Sequence, residues 1–87
     1  MKENVIQQKS FDFALKVVQL SKVLVADKEF VLSKQLLRSG TSIGVNVREP
    51  GNSYSKKDFA YKMSIAQKEC DESIYWLDLL YAADYID

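Results

Sequence analysis

SKKDFAYKMSIAQKECDESIYWLDLLYAA, residues 55–83, is the stretch on which the fold turns. Phe59, Met63, Ala66, Cys70, Ser73, Leu77 and Leu80 recur at alternating spacings of four and three. That spacing keeps one side of an α-helix against its neighbours and forms the seam of a left-handed helical bundle. Ser55 is placed to cap the first turn, with Asp58 three residues on in a variant of the capping box, so the helix is predicted over about 55–83. Its last part, SIYWLDLLYAA from Ser73 to Ala83, has nine apolar or aromatic residues in eleven and Asp78 as its single charge. A helix apolar all round needs cover all round, more than two preceding helices supply.

Working back towards the N-terminus, Leu32, Leu36, Gly40, Ile43 and Val47 fall at spacings of four, four, three and four, which predicts a second helix over about 29–49. Pro50 ends it, because its ring and missing N–H cannot continue a helix, and Gly51-Asn52 supports a turn. Within this helix Ser39-Gly40-Thr41-Ser42 and Gly44 place small residues on adjacent turns, although each interior Gly costs about 1 kcal/mol relative to Ala. Gly40 and Gly44 are therefore assigned to helix packing, where another helix backbone comes unusually close. A first helix is predicted over about 5–25, starting at Val5 or Ser10, with Ser10 either its N-cap or part of its first turns. Phe11, Ala14 or Leu15, Val18 and Leu24 form its apolar stripe, widened by Phe13, Val17 and Leu20. The short Asp27-Lys28 connection forces antiparallel neighbours. The expectation is an all-α, antiparallel up-and-down helical bundle, with three long helices in one domain spanning 1–87.

Composition agrees with long helices and few loops: 47% of the 87 residues are hydrophobic, three are Gly and one is Pro. A chain of this size buries only about 60–65% of the surface its unfolded state exposes, so association with something else would add to a marginal core. Cys70 is the sole cysteine, which rules out a disulfide within the chain and fits a reducing compartment. No apolar run approaches the roughly 20 residues that span a bilayer, and the expected location is cytoplasmic and soluble.

The formal charge of zero conceals a polarity. Residues 1–68 carry all twelve Lys and Arg against six acids, a surplus of six positive charges, whereas residues 69–87 carry the other six acids and no base. Such a chain can present a basic surface to a polyanion or pair head to tail with its own copies.

Catalytic chemistry is poorly supplied. There is no His, the commonest general base, and Cys70 lies on the apolar seam without an imidazole partner. Glu69, Asp71, Glu72 and Asp78 offer carboxylates to a divalent cation, but exposed acids on a helix more often face Lys or water. No Gly-rich phosphate loop is present, since Gly40 and Gly44 lack the following Gly-Lys-Ser/Thr. The reading is a non-enzyme with no catalytic residue, metal or cofactor. The basic candidates are Arg38 and Arg48 on the second helix and Lys56 and Lys57 in the first turn of the third. Tyr54 and Tyr61 nearby can stack on bases, although such tyrosines are more often rim packing, and ion pairs of Arg48 and Glu49 that set the subunit register are the slightly favoured alternative. Cations at a helix N-terminus oppose its dipole, so a phosphate or a neighbouring carboxylate would offset them.

LLRSGTSIGVNVRE from Leu36 to Glu49, the stretch from Ser55 to Leu80, and KSFDFALKVVQLSKVL from Lys9 to Leu24 together resemble the bacterial four-helix-bundle proteins encoded in intervening sequences of 23S ribosomal RNA genes. The resemblance covers nearly the whole chain. That family is in turn similar to the accessory variability protein of diversity-generating retroelements, which implies a ring or barrel of five bundles and nucleic-acid binding. Two departures stand out: the family continues into a fourth helix where this sequence ends at Asp87, and Pro50 stands where Ala is more usual.

The expectation is thus a self-associating helical scaffold, a homo-oligomer and by resemblance a pentamer, with RNA or another protein as a further partner and no membrane. Nucleic-acid contact is assigned to Arg38, Arg48, Lys56 and Lys57, and the oligomer interface to Trp76 and Leu80. The alternative from a different class is a small metal-assisted nuclease or other enzyme using the acidic cluster of the third helix.

Overall fold

The computed structural model of the chain describes residues 4–48 and 55–87. Three α-helices account for most of them: α1 (Asn4–Ala26), α2 (Val31–Arg48) and α3 (Lys56–Ala82). They run up, down and up. α2 lies between the other two and packs closely on both, while the backbones of α1 and α3 stay apart. The 27 residues of α3 give a rod of about 40 Å, close to the full 43 Å length of the molecule.

Each helix end has a local cause. Lys28, with φ 67°, turns the chain out of α1 in the left-handed region, and the N–H groups of Lys28 and Glu29 return to the carbonyls of Val25 and Leu24 at 2.9 Å each. This is a Schellman ending made without glycine. Glu29 then starts the next helix. Its carboxylate accepts from the N–H of Leu32 at 3.1 Å and of Ser33 at 2.7 Å, and its carbonyl accepts from Ser33 Oγ at 2.7 Å. A negative group at the positive end of α2 is doubly favourable, because it satisfies otherwise orphaned N–H groups and meets the helix dipole. Glu29 was expected inside the second helix; it stands before it, as its cap. Ser55 Oγ accepts from the Asp58 N–H at 3.1 Å, the predicted cap of α3. α3 closes with the same ending as α1: Asp84 has φ 67°, and Tyr85 N–H reaches Leu80 O at 2.9 Å. Ile86 is thereby returned onto the core.

The core is small. Val17, Leu24, Leu36 and Leu80 are buried together, with Phe13, Leu20, Leu32, Leu37, Trp76, Leu77 and Ile86 packed partly against them. α2 follows its predicted stripe, for Leu36, Gly40 and Val47 are buried and Leu32 and Ile43 half-buried. On α1 only part of the predicted stripe is covered: Val17 and Leu24 are buried and Phe13 and Leu20 pack against them. Phe11 and Leu15 remain 52% and 47% exposed while Val17 and Ser10 go inside. With one helical neighbour instead of two, α1 has to aim a single narrow face at α2, and the face chosen is the one that seats Val17 against Gly40. Ser10 is no cap; it lies inside α1 with its Oγ donating to Gln7 O.

Gly40 makes room for Val17 of α1. A Cβ at that position would stand 2.9 Å from Val17 Cγ2 and 3.0 Å from Cγ1. The near neighbour is a β-branched side chain held by its own burial, not a helix backbone. Gly44 is a looser site, since a Cβ there would meet Ser10 at 3.6–3.8 Å, ordinary contact. The flank of α2 towards α3 is polar instead. Ser39 and Ser73, both fully buried, stand with their hydroxyls 2.9 Å apart, and nearby carbonyls of Leu36 and Glu69 accept from the same pair.

Candidate functional site

Arg38 projects from α2 across to α3, where its Nη1 donates to Glu69 Oε2 at 3.2 Å and its Nη2 to Glu72 Oε1 at 2.5 Å. Glu69 and Glu72 are one turn apart on α3, so a single guanidinium spans both. The hydrogen bond to Glu69 is the main influence holding Arg38 in its charged form, partial burial opposes it, and the charges of Glu69 and Glu72 add to it. Glu69 Oε1 also lies 3.2 Å from Nη2, without the alignment of a hydrogen bond. Arg38, expected to meet phosphates, is therefore engaged by carboxylates of its own chain. The same contact occupies the two acids that best suited a metal. Among the described residues no group of three or more His, Cys, Asp and Glu stands ready to hold an ion.

Cys70 is half-buried beside a cavity of about 170 Å³ lined by Ile6, Ile43, Val47, Met63, Ala66 and Gln67. That lining contains no base to activate a thiolate. Arg48, Lys56 and Lys57 are all exposed, near the end of the molecule where α2 stops and α3 begins. Tyr61 is 63% exposed on α3, while Glu49, Pro50 and Tyr54 lie outside the described residues. Among the described residues no helix is long and apolar enough to cross a membrane.

α3 divides along its length into a covered and an uncovered side. Leu80 is fully buried within the single chain, clustered with Leu24 and Leu36. Trp76 is half-buried on the same core, its ring edge-on to Tyr75 at 5.3 Å, and its Nε1–H is buried without an acceptor among the described residues. Besides Phe59 and Tyr61 in its first turns, α3 leaves Ile74, Tyr75 and Tyr81 in water in its second half, at 52%, 57% and 63% exposure. They flank Asp78, which is exposed and makes no ion pair among the described residues.

A second uncovered surface runs along α1 and α2, away from α3. Ser10, Ala14, Thr41 and Gly44 form the floor of a cavity of about 150 Å³, Phe11 and Val45 form its walls, and Gln7 and Arg48 close one end. Nothing in the helical periodicity singled out this groove. It arises because Phe11 and Val45 stand beside small residues on the neighbouring helix, a relation that depends on the pairing of α1 with α2.

The sequence matches the model of the family described as 23S rRNA-intervening sequence protein over residues 2–87. Among solved structures, a protein of unknown function from the S23 ribosomal protein family of Bacteroides thetaiotaomicron VPI-5482 is 53% identical, with a TM-score of 0.95. The match covers 100% of this chain and 79% of that one. No curated protein matches the chain.

Proposed function

We propose, on the premise that the chain belongs to the 23S rRNA-intervening sequence protein family, that it is a non-catalytic building block that associates with copies of itself. The observation that carries this reading is the exposed side of α3: Ile74, Tyr75 and Tyr81 lie together on one helix with Asp78 as the only charge among them. Clustered apolar surface of this kind on a small protein marks an interface. The ring of five implied by the resemblance is the expected assembly. Light scattering at micromolar concentration tests the reading. A triple variant, Ile74→Ser, Tyr75→Ser and Tyr81→Ser, should keep its helical circular dichroism and fall to the mass of a single chain. An assembly unchanged by the three substitutions would remove α3 from the interface.

A second role follows from Lys56 and Lys57, two exposed cations in the first turn of α3. In an assembled form they contribute weak, sequence-independent contact with RNA phosphates, whose affinity falls steeply with salt. Removing either lysine should lower the slope of log affinity against log salt by about one unit. No shift of single-stranded or structured RNA at about 50 mM salt would reject this role and leave association alone.

A further inference from the structure

We infer that the exposed ridge of α3 docks in the α1–α2 groove of a second copy, so that the interface is head to tail and not α3 against α3. The inference rests on the self-association proposed above and names the surface that receives α3. Three observations carry it. The groove has the right form, a floor of Ser10, Ala14, Thr41 and Gly44 between walls of Phe11 and Val45, and it continues past Gln8 towards Arg48. The ridge supplies side chains to fill it: Ile74 and Tyr81 stand four and three residues from Asp78, on one side of α3 together with Tyr75.

Charge then decides between the two geometries. From Glu69 onward α3 contains no base, and Asp71 and Asp78, seven residues apart, are both exposed. Two ridges packed on each other would bring these carboxylates together in an interface where water is scarce, and like charges so placed are costly. Docked in the groove, a ridge that seats Tyr81 or Ile74 holds Asp78 one helical turn away, within reach of Arg48 at the groove's end. The receiving patch differs from the inserted one, so repetition generates a closed ring or an open filament, never a simple two-fold dimer.

Charge reversal separates the geometries. Arg48→Asp and Asp78→Arg both alter exposed positions, and circular dichroism will show whether each variant is folded. Each alone should weaken assembly about tenfold or more in half-dissociation concentration. An equimolar mixture of the two should recover assembly in part, because unlike chains pair ridge and groove of opposite sign while a ring of five must keep one mismatched joint; the double variant should assemble fully on its own. If the wild type assembles and Arg48→Asp matches it, the groove is not the receiving surface, although self-association stands. A wild type of single-chain mass throughout would instead overturn the self-association on which the inference depends.

Discussion

Along one flank of α2 the contact with α1 is steric, Gly40 against Val17, whereas along the other the contact with α3 is polar, Ser39 against Ser73 and Arg38 against Glu69 and Glu72. The two flanks serve different ends. Small residues let two helices approach, but an apolar contact of this kind has little angular preference beyond the fit of one side chain into one gap. Paired hydroxyls and a guanidinium spanning two carboxylates are directional, and they lock the register of α3, whose outer side then presents Ile74, Tyr75 and Tyr81 in a fixed row. The flank towards α1 sets distance; the flank towards α3 sets position.

The largest effect should come from the steric flank. Gly40→Leu should destabilise by about 1–3 kcal/mol or more in a thermal melt, since Val17 is 3% exposed, β-branched and without a free rotamer to escape into. Gly40→Ala should also lose stability, its clash exceeding the roughly 1 kcal/mol gained in helix propensity. Gly44→Ala should do the reverse and gain about 0.5–1 kcal/mol, because its Cβ meets only ordinary contacts. Equal effects at the two glycines would dissolve the distinction between a tight site and a loose one.

The polar flank should give a smaller loss of a different kind. Arg38→Met should cost about 1–2 kcal/mol, chiefly because Glu69, whose side chain is 13% exposed, is left without its cation. The share owed to Glu72, whose side chain is 34% exposed against 50% for Arg38, is weakened by solvent screening. Chemical denaturation in low and high salt checks this, and the difference from wild type should narrow as salt rises. A difference independent of salt would mean that packing of the Arg38 stem, and not its charge, joins the two helices.

The helices themselves were legible, because periodicity over twenty residues and caps such as Ser55 are local properties. The Asp27–Phe30 connection was less so. Glu29 both receives the end of α1 and caps α2, and a glutamate two residues before a helix carries no distinctive sequence signal. Lys28 and Asp84 occupy left-handed positions where glycine would have announced the turn. The predicted stripe of α1 was wider than its core face: the helix is apolar on several sides, so only its partner decides which residues are covered, and Val17 and Leu24 entered the core while Phe11 and Leu15 stayed out. Gly40 was legible as a packing site, but the looser fit at Gly44 depends on Ser10, a residue from another helix. Arg38 illustrates the same limit, since a sequence shows a cation but not the two carboxylates, more than thirty residues away, that claim it.

The most direct test of the central claim is the mass of the wild-type chain in solution, by sedimentation equilibrium across the micromolar range. The account predicts a multiple of the 10.0 kDa single-chain mass, about 50 kDa for the ring of five, dissociating on dilution. A constant 10.0 kDa at every concentration, with α3 folded and its aromatic side chains in water, would contradict it.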